Sequence, residues 1–82
     1  MSKVVNQPVL VLADKHMRPS RFFWFNRWFY VSGLMDIWNE AGKWWDGEPE
    51  KTVYRVLCNK DTMFEIEFRR SERQWVLYKV YD

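Results

Sequence analysis

The alternation of apolar and polar side chains predicts a chain of short β-strands. Between residues 63 and 69 the two kinds alternate strictly, with Phe64, Ile66 and Phe68 on one face and Glu65, Glu67 and Arg69 on the other. This pattern is typical of a strand with one buried face and one hydrated face. The segments 52–58 and 75–81 are rich in β-branched and aromatic residues and predict a strand on each side of it.

The segment 22–30 carries seven aromatic residues in nine positions: Phe22, Phe23, Trp24, Phe25, Trp28, Phe29 and Tyr30. Asn26 and Arg27 interrupt the run and predict a tight hairpin turn, because Asn tolerates a positive φ. A strand with one buried face needs an apolar residue only at every second position. We therefore expect the core to take one set, Phe22 and Trp24 with Phe29 or Val31, and to leave Phe23, Phe25 and Tyr30 uncovered.

The segment from residue 34 to 42 is ambiguous. Leu34, Ile37, Trp38 and Ala41 follow helical spacing, and Gly42 can end a helix. We predict one short helix or an irregular crossover here. The remaining chain predicts a mostly β fold, an antiparallel meander of six strands that forms a curled sheet or a small barrel. Residues 1–7 are expected to be a loose N-terminal segment, and residues 8–82 a single small domain.

Composition narrows the chemistry of this 82-residue chain. Its single cysteine excludes an internal disulfide and a multi-cysteine zinc site, and fits a reducing, cytoplasmic compartment. The apolar run 9–13 is too short for a membrane span, so we expect no membrane association. Residues 1–35 carry five basic residues and one acidic residue, whereas residues 36–50 carry one basic residue and five acidic ones. The chain therefore joins a basic aromatic part to an acidic middle.

Residues typical of catalysis are few. The only histidine, His16, lies in a predicted turn, and the only cysteine, Cys58, lies at a strand end with no third group beside them. Asp46, Glu48 and Glu50 fit a solvated acidic loop better than a metal site. We expect no catalytic residues, no metal and no cofactor, and hence a protein that is not an enzyme.

Binding surfaces are the stronger candidates. Trp, Tyr and Arg dominate protein-binding hot spots, which favours Phe23, Phe25, Arg27 and Tyr30 as one contact face for a protein partner or a second copy. Basic residues beside aromatic ones also hold single-stranded nucleic acid, and the residues for this alternative are Arg18, Arg21 and Arg27. A third interpretation is that the rings simply form the core.

Several segments resemble a small bacterial domain of unknown function. They are Arg21-Phe22, Trp24, Arg27-Trp28, the run from Trp38 through Trp44-Trp45-Asp46-Gly47-Glu48-Pro49, Tyr54 to Leu57, and Trp75 to Tyr81-Asp82. The same features are similar to the C-terminal segment of the inactive Y-family polymerase-like subunit of the bacterial mutasome. The most specific elements are the tryptophan motif Trp44, Trp45, Asp46 and Gly47, which we expect to be structural, and the terminal Tyr81-Asp82.

The resemblance implies an accessory role in DNA damage tolerance or translesion synthesis, with a polymerase, an associated repair protein such as a clamp-associated one, or template DNA as partner. It brings no catalytic residues with it. Phe23, Phe25 and Tyr30 stand where polar or basic residues are common in this pattern, which favours an apolar contact over purely electrostatic DNA binding.

Overall fold

The computed structural model describes residues 2–41, 45, 47, 50–59 and 61–81. They form a single seven-stranded antiparallel sheet with the strand order β1-β7-β6-β5-β4-β3-β2. The strands are β1 (Ser2–Pro8), β2 (Leu10–Ala13), β3 (Pro19–Trp24), β4 (Arg27–Glu40), β5 (Lys51–Cys58), β6 (Thr62–Arg69) and β7 (Gln74–Tyr81). The predicted mostly β, antiparallel meander is confirmed.

The sheet curls into a half-barrel because its two outermost strands are consecutive in the chain. Only Val9 separates β1 at one edge from β2 at the other, and its backbone N–H donates a hydrogen bond to the carbonyl of Trp75 at 3.1 Å. The indole Nε1 of Trp24 also donates to Oε1 of Gln7 at 3.3 Å, which links β3 to β1.

The concave side of the sheet holds the core. Ten buried residues form one cluster: Val11, Phe22, Phe29, Tyr54, Val56, Cys58, Phe64, Ile66, Leu77 and Val80. Phe22 stacks on Phe29 with ring centroids 5.2 Å apart, and Phe64 meets Phe22 edge-on at 5.1 Å. These rings give an 82-residue chain a dense core, because each aromatic side chain buries about 150–250 Å².

Three features of the N-terminal half differ from the sequence prediction. The N-terminal segment 1–7 was expected to be loose, but its described residues belong to β1 (Ser2–Pro8), so the sheet has seven strands and not six. The hairpin turn is Phe25-Asn26, one residue earlier than Asn26-Arg27, because Trp24 pairs with Arg27. The described residues contain no α-helix, and the segment predicted as a helix or crossover continues β4 as far as Glu40.

The false helical signal has a physical cause. The register of β4 against β5 shifts twice, between Val31 and Gly33 and between Leu34 and Asp36. Each shift is a β-bulge that inserts an extra residue and interrupts the two-residue alternation of the strand. Apolar residues on the two sides of such bulges therefore fall at spacings that imitate a helix.

The outer face of β6 is also different from the prediction. Glu65 and Glu67 do alternate with the core residues, but both are buried, with 7% and 2% of their surface exposed. Long side chains of the neighbouring strands reach them: Lys51 Nζ lies 2.9 Å from Oε1 of Glu67, and Arg55 Nη2 lies 3.4 Å from Oε2 of Glu65. The face predicted to be hydrated is a covered ion-pair network.

Candidate functional site

Six side chains form an aromatic face on the outer side of strands β2, β3 and β4. Cross-strand pairing aligns Leu10 with Phe23, Phe23 with Trp28, Leu12 with Arg21, and Arg21 with Tyr30. The aromatic face is therefore Leu10, Leu12, Arg21, Phe23, Trp28 and Tyr30. The alternate residues of the same strands, Val11, Phe22 and Phe29, are buried in the core. The outer rings therefore lie on the opposite side of the sheet from the core.

Much of this face is open to solvent. Leu10 is 60% exposed, Tyr30 56%, Leu12 39% and Phe23 36%. The rings of Phe23 and Trp28 pack edge-on at 5.3 Å, and the guanidinium of Arg21 lies 4.9 Å from the Trp28 ring and 5.9 Å from the Tyr30 ring. Stacking fixes the arginine above the rings, in the geometry of a cation–π contact. Within the described chain, Arg21 forms no ion pair with a carboxylate.

The predicted contact face divides into two parts. Phe23 and Tyr30 belong to the aromatic face, whereas Phe25 lies in the turn and Arg27 extends over Phe29, with its guanidinium 4.6 Å from that ring. Phe25 and Arg27 instead line a pocket at the end of the half-barrel. Sequence alternation identified the exposed residues, but it could not show that the turn divides them.

This mouth pocket has a volume of about 340 Å³. Its apolar wall consists of Trp24, Phe29, Phe64 and Val80, and its polar and charged groups are Lys3, Arg27, Asn59 and Thr62, with Phe25 at the rim. A second depression of about 280 Å³ shares Lys3, Trp24 and Phe25 with it and continues along β1. The described lining of the mouth pocket carries two cations and no carboxylate, so it favours an anionic ligand.

Phe25 adopts an unusual backbone conformation. Its φ is +52° and that of Asn26 is +62°, as a two-residue type I′ turn requires. Asn and Gly fill such positions readily, whereas a residue with a bulky Cβ substituent is strained there by about 1–2 kcal/mol. The side chain is 77% exposed, and its ring packs against that of Trp24 at a centroid distance of 4.6 Å. The fold therefore holds a strained, exposed phenyl ring that core packing does not explain.

The structure does not bring the three arginines of the nucleic-acid alternative together. Arg18 precedes β3 and Arg27 follows the turn at its other end, so the six residues of β3 separate them by about 20 Å. Arg21 lies between them on the aromatic face, whereas Arg27 lies over the core ring Phe29. They do not form one continuous basic surface.

The tryptophan motif is only partly described. Trp44 and Asp46 lie outside the described residues, Trp45 is 66% exposed, and Gly47 has a φ of +78°. The positive φ accounts for glycine at position 47, because L-residues rarely adopt it.

Cys58 and His16 occupy different environments. Cys58 is fully buried in the core, and burial raises the pKa of its thiol to about 11, which disfavours the reactive thiolate. His16 lies in the exposed turn between β2 and β3, where its backbone N–H donates to Oδ1 of Asp14 at 2.9 Å. Within the described parts of the chain, no three His, Cys, Asp or Glu residues are grouped as metal ligands would be.

The covered network on β5–β7 is a charged cluster that the sequence did not indicate. Burial opposes the charge of Lys51, but hydrogen bonding and attraction to Glu67 outweigh it, so the pKa of Lys51 is raised. A hydrogen bond donated to Glu65, with burial adding to it, raises the pKa of Tyr81. The cations and carboxylates of this network pair with one another, although Arg55 Nε and Glu67 Oε2 are buried without a hydrogen-bond partner among the described residues. Removing one member would leave a buried charge without its counter-ion, which is costly.

Comparison with known proteins gives a family but no activity. No curated protein and no solved structure matches the chain. The described residues contain no helix with the length and apolar character needed to cross a bilayer. Over residues 1–82 the chain matches the sequence profile described as a domain of unknown function (DUF6504), and it belongs to that family.

Proposed function

We propose that this domain is a non-enzymatic interaction module that binds a partner protein through its aromatic face. The observation that carries the proposal is the exposure of Phe23 and Tyr30 beside Arg21, while Phe22 and Phe29 on the other side of the same strands are buried. The core is complete without the outer rings. Exposed aromatic residues next to an arginine are typical of the centre of a protein interface.

The chemistry of the partner follows from the face. Leu10, Phe23 and Tyr30 need apolar side chains opposite them, and the guanidinium of Arg21 needs a carboxylate, because no described residue supplies one. A partner surface with apolar residues around one Asp or Glu meets both needs. Bidentate pairing of Arg21 with that carboxylate would add direction to the contact.

We further propose that the partner is a polymerase or an associated repair protein of the bacterial cytoplasm. The support is the resemblance of the tryptophan motif and the Tyr81-Asp82 terminus to the mutasome subunit. On this proposal the domain is an accessory in DNA damage tolerance. A second copy of the chain is the competing occupant of the same face.

The test uses a photo-cross-linking amino acid in place of Tyr30, introduced into the protein in its own bacterium after DNA damage. We expect a covalent adduct with a repair protein, and binding of that purified protein to the unmodified chain. Arg21→Glu and Phe23→Ser should each weaken this binding at least tenfold. Met35→Ser is the matched control, because Met35 is also exposed but lies outside the aromatic face.

Three results would count against the proposal. Arg21→Glu and Phe23→Ser that bind the purified partner as well as the unmodified chain would exclude the aromatic face. An adduct only between two copies, with a dimer in light scattering that Phe23→Ser dissociates, would show self-association. An adduct with proteins unrelated to DNA metabolism would contradict the proposed pathway.

A further inference from the structure

We propose that the mouth pocket binds a nucleotide, with its base stacked on Phe25 and its phosphate held by Lys3 and Arg27. This site is separate from the aromatic face and does not depend on the function proposed for that face. It also differs from a basic surface made by Arg18, Arg21 and Arg27, because only Arg27 lines the pocket.

The stacking platform is the first part of the argument. One face of the Phe25 ring packs against Trp24 at a tilt of 34°, and 77% of the side chain remains exposed. Much of the ring surface is therefore accessible to a planar group. Stacking of a base on an aromatic side chain is the usual way in which proteins hold unpaired nucleotides.

The backbone at Phe25 is the second part. A positive φ at a phenylalanine is uncommon, and strained residues that the surrounding structure maintains are concentrated at ligand sites. Asn or Gly at this position would form the same turn with less strain. A phenyl ring that is exposed and sits on a strained backbone contributes little to the stability of the fold. A role in binding explains why position 25 is a phenylalanine.

Charge is the third part. Lys3 and Arg27 line the pocket, and neither forms an ion pair within the described residues. Asn59 and Thr62 add uncharged hydrogen-bonding groups on the same wall. Two cations, two neutral polar groups and an aromatic platform match the phosphate, sugar and base edge of a nucleotide. The volume of about 340 Å³ lies at the small end of the range of ligand sites and suits one nucleotide unit.

The same chemistry can come from a free mononucleotide or from one unit of a single strand. We would titrate the full chain with thymidine monophosphate, with a short oligothymidylate and with inorganic phosphate, following backbone amide signals by NMR. Both nucleotide probes should shift the amides of residues 24–27, 59 and 62. Tighter binding of the oligonucleotide would identify a single strand as the source, and equal binding would identify the mononucleotide.

Variants then separate a binding role from a structural one. Phe25→Asn should weaken nucleotide binding about tenfold or more and raise the Tm by about 4 °C, since it removes both the platform and the strain. Met17→Gly is the matched control: Met17 is also exposed, with a φ of +62°, but it lies in the turn at the other end of β3. It should raise the Tm and leave binding unchanged. Arg27→Gln should weaken nucleotide binding. It should also reduce the slope of the logarithm of the binding constant against the logarithm of salt concentration by about 1, as the loss of one phosphate contact predicts.

Four outcomes would overturn the proposal. They are no amide shifts with either nucleotide at millimolar concentration, inorganic phosphate binding as tightly as the nucleotides, a Phe25→Asn variant that binds normally, and a Phe25→Asn variant with a lowered Tm. Phe23→Ser should leave nucleotide binding intact, so failure of the mouth pocket and failure of the aromatic face are distinguishable.

Discussion

Adjacent phenylalanines in β3 should differ greatly in their contribution to stability. Phe22 has no exposed surface and contacts the rings of Phe29 and Phe64, whereas Phe23, on the opposite face, is 36% exposed and contacts Trp28. Replacing a buried Phe by Ala costs about 3–5 kcal/mol, which combines lost burial with the cavity that remains. Phe23→Ala loses one edge-on ring contact and part of a half-exposed surface, or about 1 kcal/mol.

The two variants should therefore differ by about 2 kcal/mol or more in their free energy of unfolding. This is a large difference for a domain of this size, because small domains have about 5–15 kcal/mol of total stability. It corresponds to a fall in Tm of about 12 °C or more for Phe22→Ala, and of about 4–8 °C for Phe23→Ala. Both values come from substituting the same residue type at neighbouring positions of one strand. The contrast therefore isolates the effect of the face.

Urea unfolding followed by far-ultraviolet circular dichroism measures both variants without relying on tryptophan emission. The two transitions should keep the slope of the unmodified protein and differ in their midpoints. Equal losses within about 0.5 kcal/mol would refute the assignment of the two faces of β3. A greater loss for Phe23→Ala would place the aromatic face in the core and remove the basis of the proposed interaction.

Three further predictions concern the charged and titratable groups. Lys51→Met should lower the free energy of unfolding in urea by about 1–3 kcal/mol, because it leaves the buried carboxylate of Glu67 without its nearest cation. Adding Glu67→Gln should restore part of that loss, and a double variant no more stable than Lys51→Met would contradict the prediction. Cys58 should react with a disulfide reagent at pH 8 only as fast as the protein unfolds, since it is buried and its pKa is raised to about 11; fast labelling in native buffer would refute the prediction. Hydrogen bonds from the backbone N–H groups of Arg18 and then His16 hold the pKa of Asp14 below 3.8. The ionised carboxylate should therefore stabilise the turn fully above pH 3.8, and this stabilisation should be lost as the pH falls through the lowered pKa of the folded state. An NMR titration midpoint at or above 3.8 would refute the prediction.

The sequence predicted the strands of the C-terminal half well, because their pairing is local and regular. Residues 52–58, 63–69 and 75–81 correspond to β5, β6 and β7 within one residue at each end. Alternation also separated the buried Phe22 from the exposed Phe23 and Tyr30. Each of these conclusions depends only on a two-residue period and on short turns between neighbouring strands.

The misassigned features depend on contacts that are distant in sequence. Ser2–Pro8 is mostly polar and exposed, and it becomes a strand only because β7 supplies hydrogen-bonding partners. The bulges of β4 and the strained turn at Phe25 are local departures that composition does not reveal. The burial of Glu67 could not be predicted from its own strand alone, because it depends on Lys51 of the adjacent strand β5 as well as on Arg69 of β6. The mouth pocket likewise combines residues from five strands, β1, β3, β4, β6 and β7, and from two hairpin turns.

The pairing of β1 with β7 has a consequence for how the protein forms. Ser2 pairs with Tyr81, so β1 finds its partner only after the other strands of this domain have been synthesised. The meander β5–β7, in contrast, pairs through short turns and can form early, since contacts that are close in sequence are made fastest. Until β1 docks, the edge of β7 lacks its hydrogen-bonding partner. We therefore expect slow closure of the half-barrel to be the step at which the nascent chain is most prone to aggregation.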